Sequence, residues 1–316
     1  MKWRKLGHLF NPADHQLPSG CLGFAQSPQA LVYDDFVRIY FSTRTRDAGG
    51  YVSHIAFVDV DKHMARVLRT SADVALGPGR LGAFDEHGIF PINVLRHEGR
   101  IHAYTCGWSR RVAVPVETAI GAAISDDEGM TFRRLGPGPI MGPSLHEPVL
   151  VGDPFVLVHE NRWHMWYIFG LGWKESPGDP GPARVYKIAY AVSDDGLSWR
   201  RSGETIVSDR LGEDECQALP TVLFCDGEWH MYFCYRAATD FRTNRDRGYR
   251  LGYAHSRDMK SWRRDDSSAG IDVSPSGWDS DMLCYPHVFW CDGRAYMLYN
   301  GNAFGRDGFG VAILER

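Results

Sequence analysis

The chain has 316 residues, 44% of them hydrophobic and 23% charged, which is enough apolar material for a sizeable core. Its formal net charge is −4, with no basic block, which argues against nucleic acid or an acidic membrane surface as a partner. The first seven residues lack the apolar stretch of a secretion signal and no apolar run approaches the ~18 residues of a membrane span, so a cytoplasmic location is expected. The seven cysteines are an odd number without paired ligand spacing, so they read as reduced, buried thiols and no zinc site is expected.

An internal repeat organises everything else. Pro28, Pro91, Pro154, Pro220 and Pro286 are spaced by 63, 63, 66 and 66 residues. Thirteen residues after each stands an aromatic: Phe41, Tyr104, Tyr167, Phe233 and Tyr299. Between proline and aromatic lies turn chemistry, Asp34-Asp35, His97-Glu98-Gly99, Glu160-Asn161, Asp226-Gly227 or Asp292-Gly293, so each unit opens with a β-hairpin.

Third strands follow at 50–58, 120–125, 186–193, 249–256 and 309–314. Three of them run into Ser-Asp loops whose acids, Asp126, Asp127, Asp194 and Asp195 among them, read as turn residues. Fourth strands open on an aromatic and two basic residues, Phe132-Arg133-Arg134, Trp199-Arg200-Arg201 and Trp262-Arg263-Arg264. The fifth unit ends at Arg316 without one, but Trp3-Arg4-Lys5 carries the same signature. The expected fold is therefore all-β, a single five-bladed propeller over residues 1–316 with four-stranded antiparallel blades. Its ring is closed by the N-terminal strand joining the last blade.

With the proline strand innermost, its start and the end of the next strand surround the axis on one face. The windows before the prolines are rich in acids: Asp85 and Glu86 with His87, Asp153, Glu215 in the run Glu213-Asp214-Glu215, and Asp279 and Asp281. The windows after the aromatics offer Arg44, Trp108, Trp173, Arg236, Asn300 and Asn302, and His287 follows its proline directly. Carboxylates facing one cavity beside aromatic platforms suit a sugar, because glycoside cleavage uses two carboxyl groups of different pKa while rings stack on aromatic faces. Long inserts at 77–88, 136–152, 176–182 and 237–248 are where such a site would be elaborated.

The five-fold repeat, the Asp153-Pro154 pair and the Glu215-Cys216 pair resemble the five-bladed propeller glycosidases: the arabinanase and β-xylosidase, invertase and levansucrase, and mannoside phosphorylase types. Trp278 to Met282, Tyr285-Pro286 and Tyr299 to Gly305 are similar to sequences of bacterial glycosidase-like propellers. The resemblance to the invertase type implies a transition-state-stabilising Asp153 and a general acid Glu215, here in blades three and four where that type uses its second and third. The arabinanase type has an aspartate base before the first-blade proline, where this chain has Ser27.

The expected activity is hydrolysis or phosphorolysis of a small glycoside or glycoconjugate in an acidic axial pocket. Glu215 is the expected acid, Asp153 a substrate holder that raises its pKa, and Asp85 the base or nucleophile. Substrate contacts are expected from Arg44, Glu86, His87, Trp108, Trp173, Arg236, Asp281, His287, Asn300 and Asn302, with Arg44 or Arg236 holding phosphate where phosphate is the acceptor. No cofactor is required, and an axial calcium or water is compatible with the ring. Ser27 supports the alternative of a non-catalytic carbohydrate-binding propeller serving polysaccharide or glycoconjugate synthesis.

Overall fold

A computed structural model describes residues 1–175 and 181–315. Residues 176–180 of the insert expected at 176–182 lie outside it. Twenty strands form five sheets of four antiparallel strands each. Blade 1 is Gln26–Val32, Val37–Asp47, Gly50–Val60 and Val67–Thr70. Blade 2 is Ile89–His97, Arg100–Arg110, Val116–Ser125 and Arg133–Arg134, and blade 3 is Val151–His159, Arg162–Lys174, Ala183–Ser193 and Arg200–Arg201. Blade 4 is Glu215–Cys225, Glu228–Ala237, Arg250–Ser256 and Arg263–Arg264. Blade 5 takes Cys284–Cys291, Arg294–Asn300 and Phe309–Leu314 and receives Trp3–Phe10 as its outer strand, which closes the ring.

Alternation along each strand sends one set of side chains toward each neighbouring blade, so the core lies between blades. Phe41 and Val58 pack with Phe289 and Val311 across blades 1 and 5, and Tyr40 and Phe57 with Ile92 and Ala103 across blades 1 and 2. Tyr104 and Ile120 meet Met165 and Tyr167 across blades 2 and 3, and the largest cluster joins blades 3, 4 and 5 around Trp166, Tyr232 and Tyr299. Trp3 donates from its indole N–H to Tyr232 Oη at 2.9 Å, which ties the closing strand to blade 4.

The Ser-Asp loops are turn structures as expected. Ser125, Ser193 and Ser256 donate to Asp127, Asp195 and Asp258 at 2.7, 2.8 and 3.0 Å, and backbone N–H groups hold the Asp258 carboxyl down to about 2. Blade 1 departs from the pattern. Its outer strand, Val-Leu-Arg-Thr, lacks the aromatic and paired basic residues, and Asp59 on the third strand binds both Arg38 and Arg69 at 2.7 Å.

A bulge in every inner strand shapes the axial face. Register shifts occur around the proline in all five blades. The residue before the proline adopts a positive φ in four of them, Ser27 at 57°, Asp153 at 50°, Leu219 at 49° and Tyr285 at 57°. Such a conformation is costly for a non-glycine residue and persists only where the surroundings fix it. Bulges of this kind re-aim side chains, and those of Asp153 and Tyr285 line the axial cavity.

Candidate axial site

The axial cavity has a volume of about 360 Å³ and every blade contributes to it. Blade 1 supplies Phe24, Gln26, Arg44, Tyr51 and Ser53, and blade 2 supplies Phe90, Cys106, Trp108, Val116 and Thr118. Leu150, Asp153, Ile168, Arg184 and Tyr186 come from blade 3, and Ala218, Arg236, Phe241, Arg242 and Tyr249 from blade 4. Tyr285, Ala303 and Phe304 complete the ring from blade 5. These residues come from the starts of first strands, the ends of second strands and the starts of third strands, together with the loops between them. The cavity lies where antiparallel geometry directs it.

Asp153 is the one carboxylate on this wall among the described residues. It is 8% exposed, and burial pushes its pKa up to about 6, against the opposing pull of the Arg184 charge and of the Leu219 N–H, which donates to Oδ2 at 3.3 Å. Gly152 beside it has no room for a side chain, because a Cβ there would stand 2.7 Å from Cys106 Sγ. Cys106 is itself buried, and burial followed by the Asp153 charge pushes its thiol up to about 12, so it stays protonated and is no nucleophile.

Facing Asp153 are four arginines rather than further acids, so the expected acidic pocket is corrected to an arginine-lined one. Arg44 donates from Nε to Gln26 Oε1 at 2.9 Å and lies 4.8 Å from the Phe24 ring centre. Burial pushes its pKa down. Arg236 is 4% exposed, stacks 3.6 Å from the centre of Phe241, and donates to Tyr186 Oη at 3.0 Å. Tyr186 and Tyr249 share a hydrogen bond of 3.0 Å.

The other two acids expected to be catalytic point elsewhere. Asp85 is buried and accepts from Arg134 Nε at 2.7 Å, and Glu215 is buried and accepts from Arg264 Nη1 at 2.5 Å and from the backbone N–H of Arg210 and Leu211. The same pairing recurs in blade 3, Glu147 with Arg201 at 2.6 Å, and in blade 5, Asp279 with Lys5 at 2.7 Å. In each case an acid in the loop leading into the inner strand, or in blade 4 at that strand's first residue, meets the second basic residue of the outer strand of the same blade. The acids of blades 2 and 4 are thus spoken for by scaffold charges, and Asp85, Asp153 and Glu215 do not share one cavity. In blade 3 Glu147 fills that structural role, which leaves Asp153 free to face the axis.

Of the expected substrate contacts, Arg44, Trp108 and Arg236 line the axial cavity, and Trp173 borders an adjoining one. Glu86 instead accepts from the Gly82 N–H, and His87 packs on Trp108 and accepts from the Arg110 N–H. Asp281 is exposed and ion-paired to Arg245. Asn300 is fully buried and ties blade 5 to blade 1 by accepting from the Ser27 N–H at 2.8 Å and donating to Ala25 O. Asn302 caps its loop by accepting from the Asp281 N–H and donating to Gly277 O. None of the five lines the cavity, and His87 reaches it only through Trp108, against which it packs.

His287 is buried between Phe155 and Phe289, with ring centres at 6.1 and 5.7 Å, and burial pushes its pKa down to about 3. A neutral imidazole between phenyl rings does not supply the roughly six to eight oxygen ligands that calcium takes, so the axis here does not fit that ion. Among the described residues no group of three or more His, Cys, Asp or Glu side chains could hold a metal.

Arg184, Tyr186 and Tyr249 were not anticipated, and Phe241 and Arg242 were reached only as part of the insert at 237–248. They lie at the starts of third strands or in the loops before them, outside the two windows from which the site was expected. A window at the start of each third strand would have found Arg184, Tyr186 and Tyr249.

No family model matches the chain. Two proteins of Mycobacterium tuberculosis, Uncharacterized protein MT1551 and Uncharacterized protein Rv1502, are each 36% identical over 321 residues that span 100% of both chains. Among solved structures, one described as a glycoside hydrolase superposes with a TM-score of 0.74 at 14% identity, covering 99% of this chain and 93% of that one. The endo-arabinase of Bacteroides thetaiotaomicron gives 0.62 at 14% identity, covering 96% and 98%. The chain therefore belongs to the family of these mycobacterial proteins, and its fold is the five-bladed β-propeller of the glycoside hydrolases.

Proposed function

We propose that the axial cavity is a glycoside-cleaving site in which Asp153 is the proton donor and an anion, inorganic phosphate, is the attacking group. The observation that carries this reading is one buried carboxylate with a raised pKa in a cavity lined by arginines that, among the described residues, have no carboxylate within ion-pair distance. Hydrolysis by the common route uses two carboxyl groups, one as acid and one as base or nucleophile. This cavity supplies the acid, and phosphate brings its own negative oxygen and so dispenses with the second carboxyl group.

The step balances as follows. The bond between the anomeric carbon and the leaving oxygen breaks as a phosphate oxygen bonds to that carbon. The Asp153 proton passes to the leaving oxygen, and the proton carried by hydrogen phosphate restores Asp153 through solvent. Arg44, which lines the same cavity from blade 1, is the phosphate holder in this reading, its guanidinium suited to a phosphate. Aromatic walls from Trp108, Phe90 and Tyr285 offer apolar faces for the sugar ring.

The lone carboxylate also supports a second reading, a carbohydrate-binding propeller without turnover. Incubation with aryl glycosides and disaccharides, with and without inorganic phosphate, separates the two. Phosphate-dependent release of a sugar 1-phosphate, lost in Asp153→Asn, supports the enzyme; binding without turnover on any glycoside supports the binder.

A further inference from the structure

Three of the four cavity arginines stand together. Arg184 at the start of the third strand of blade 3, Arg236 at the end of the second strand of blade 4, and Arg242 in the loop after it border both the axial cavity and an adjoining one. The second cavity, of about 440 Å³, runs outward past Trp173, Pro115 and Pro182. The arginines form the neck between the two. They feel one another's charge, since burial first, and then Arg236 and Arg184, push the Arg242 pKa down.

Elsewhere the fold pairs its buried cations with acids, Arg38 with Asp59 and Arg264 with Glu215. At the neck, among the described residues, no carboxylate lies within ion-pair distance of any of the three. Arg236 is also held in place: Nη1 donates to Ala237 O at 2.7 Å and Ala238 O at 3.2 Å, and its buried Nε has no partner. Arg236 is buried, Arg184 half-buried and Arg242 exposed. Like charges around the buried Arg236 are unfavourable until an anion joins them, and its fixed guanidinium matches a carboxylate or phosphate in shape.

We infer that this neck binds an anionic substituent, a carboxylate or a phosphate ester, on the sugar that occupies the axial cavity. The ligand is an acidic glycoside long enough to pass from the axial cavity into the outer one. This rests on the reading of the axial cavity as a glycoside site, and it assigns the neck arginines to the sugar while Arg44 remains for the attacking anion.

The test is a titration of the full chain with glucose, glucuronic acid and glucose 6-phosphate, followed by tryptophan fluorescence, because Trp108 and Trp173 border the two cavities. At least one acidic sugar is expected to bind about tenfold or more tighter than glucose, as paired guanidinium contacts allow. The preference is expected to shrink in about 0.5 M NaCl. Which acid is preferred distinguishes carboxylate from phosphate.

Arg242→Ala and Arg184→Ala are expected to remove most of the preference, lowering acidic-sugar affinity by a larger factor than glucose affinity, while thermal melting holds; Arg242→Lys is expected to keep part of it. Equal affinity for all three sugars, binding of none, or a preference that survives in both alanine variants overturns the inference. Acid-selective binding without glycoside cleavage removes the enzymatic reading and leaves the neck as an anion site. Cleavage of neutral glycosides with no acid preference does the reverse.

Discussion

Arg134 donates to Asp85 across blade 2 at 2.7 Å, and the equivalent basic and acidic residues meet in blades 3, 4 and 5. In four of the five blades this contact ties the start of the inner strand, or the loop before it, to the outer strand of the same blade. It explains why acids gather before the prolines without serving chemistry.

Removing one member of such a pair strands a charge. Arg264 pairs with Glu215 at 2.5 Å and shares Asp266 with Arg210, so Arg264→Met strands the buried Glu215 carboxylate while Asp266 keeps Arg210. The expected loss of stability is about 3–5 kcal/mol, as for other broken buried ion pairs, read from denaturant unfolding. The double change Glu215→Leu with Arg264→Met is expected to recover most of that loss, and sugar binding at the neck is expected to persist in it.

Asp153 ties stability to pH in the opposite sense from a salt-bridged acid. Its folded pKa, about 6, lies above the ordinary 3.8. Its contribution is fully present below about pH 4, and it is lost as pH rises through 6 and the buried group must ionise. A shift of about two pH units corresponds to about 3 kcal/mol, so Asp153→Asn is expected to be the more stable protein at pH 8 by up to that amount, with the difference fading toward pH 4. Turnover that needs the protonated acid is expected to fall by about tenfold per pH unit above pH 7.

Gly152 holds the approach of blade 3 to blade 2. Gly152→Ala puts a methyl 2.7 Å from Cys106 Sγ and is expected to cost about 1–3 kcal/mol by overpacking. Cys106→Ala in the same chain removes the sulfur and is expected to restore part of that stability; equal melting temperatures for the single and double variants would refute the contact as the cause.

Neither ring nitrogen of the buried His287 makes a hydrogen bond of good geometry, and the Ala30 backbone beside it only weakly opposes the effect of burial. An unmatched buried polar group costs about 1–3 kcal/mol, so His287→Leu is expected to match or exceed the parent in stability despite the loss of an aromatic ring. A large loss of stability in urea would show that the imidazole is bonded in solution.

The blades were legible because the repeat is written in prolines, turn residues and aromatics whose spacing survives in all five units. The closing strand was legible because Trp3-Arg4-Lys5 copies the outer-strand signature. The site was legible only in part. Arg44, Trp108, Asp153 and Arg236 follow from antiparallel geometry, but composition does not reveal which acids are already claimed by Arg134 and Arg264. Asp85 and Glu215 read as free carboxylates because their partners lie 49 residues away in each case. Asp153 was distinguishable in principle, since Glu147 in the insert just before it is the acid that pairs with Arg201.

The central claim is that Asp153 gives its proton to a leaving oxygen while phosphate attacks, and phosphorus NMR of the products tests it most directly. A glycoside cleaved by the native protein in phosphate buffer is predicted to yield a sugar 1-phosphate, at a rate about 10²–10⁴ lower in Asp153→Asn. Free sugar formed at the same rate without phosphate, or undiminished turnover in Asp153→Asn, would contradict it.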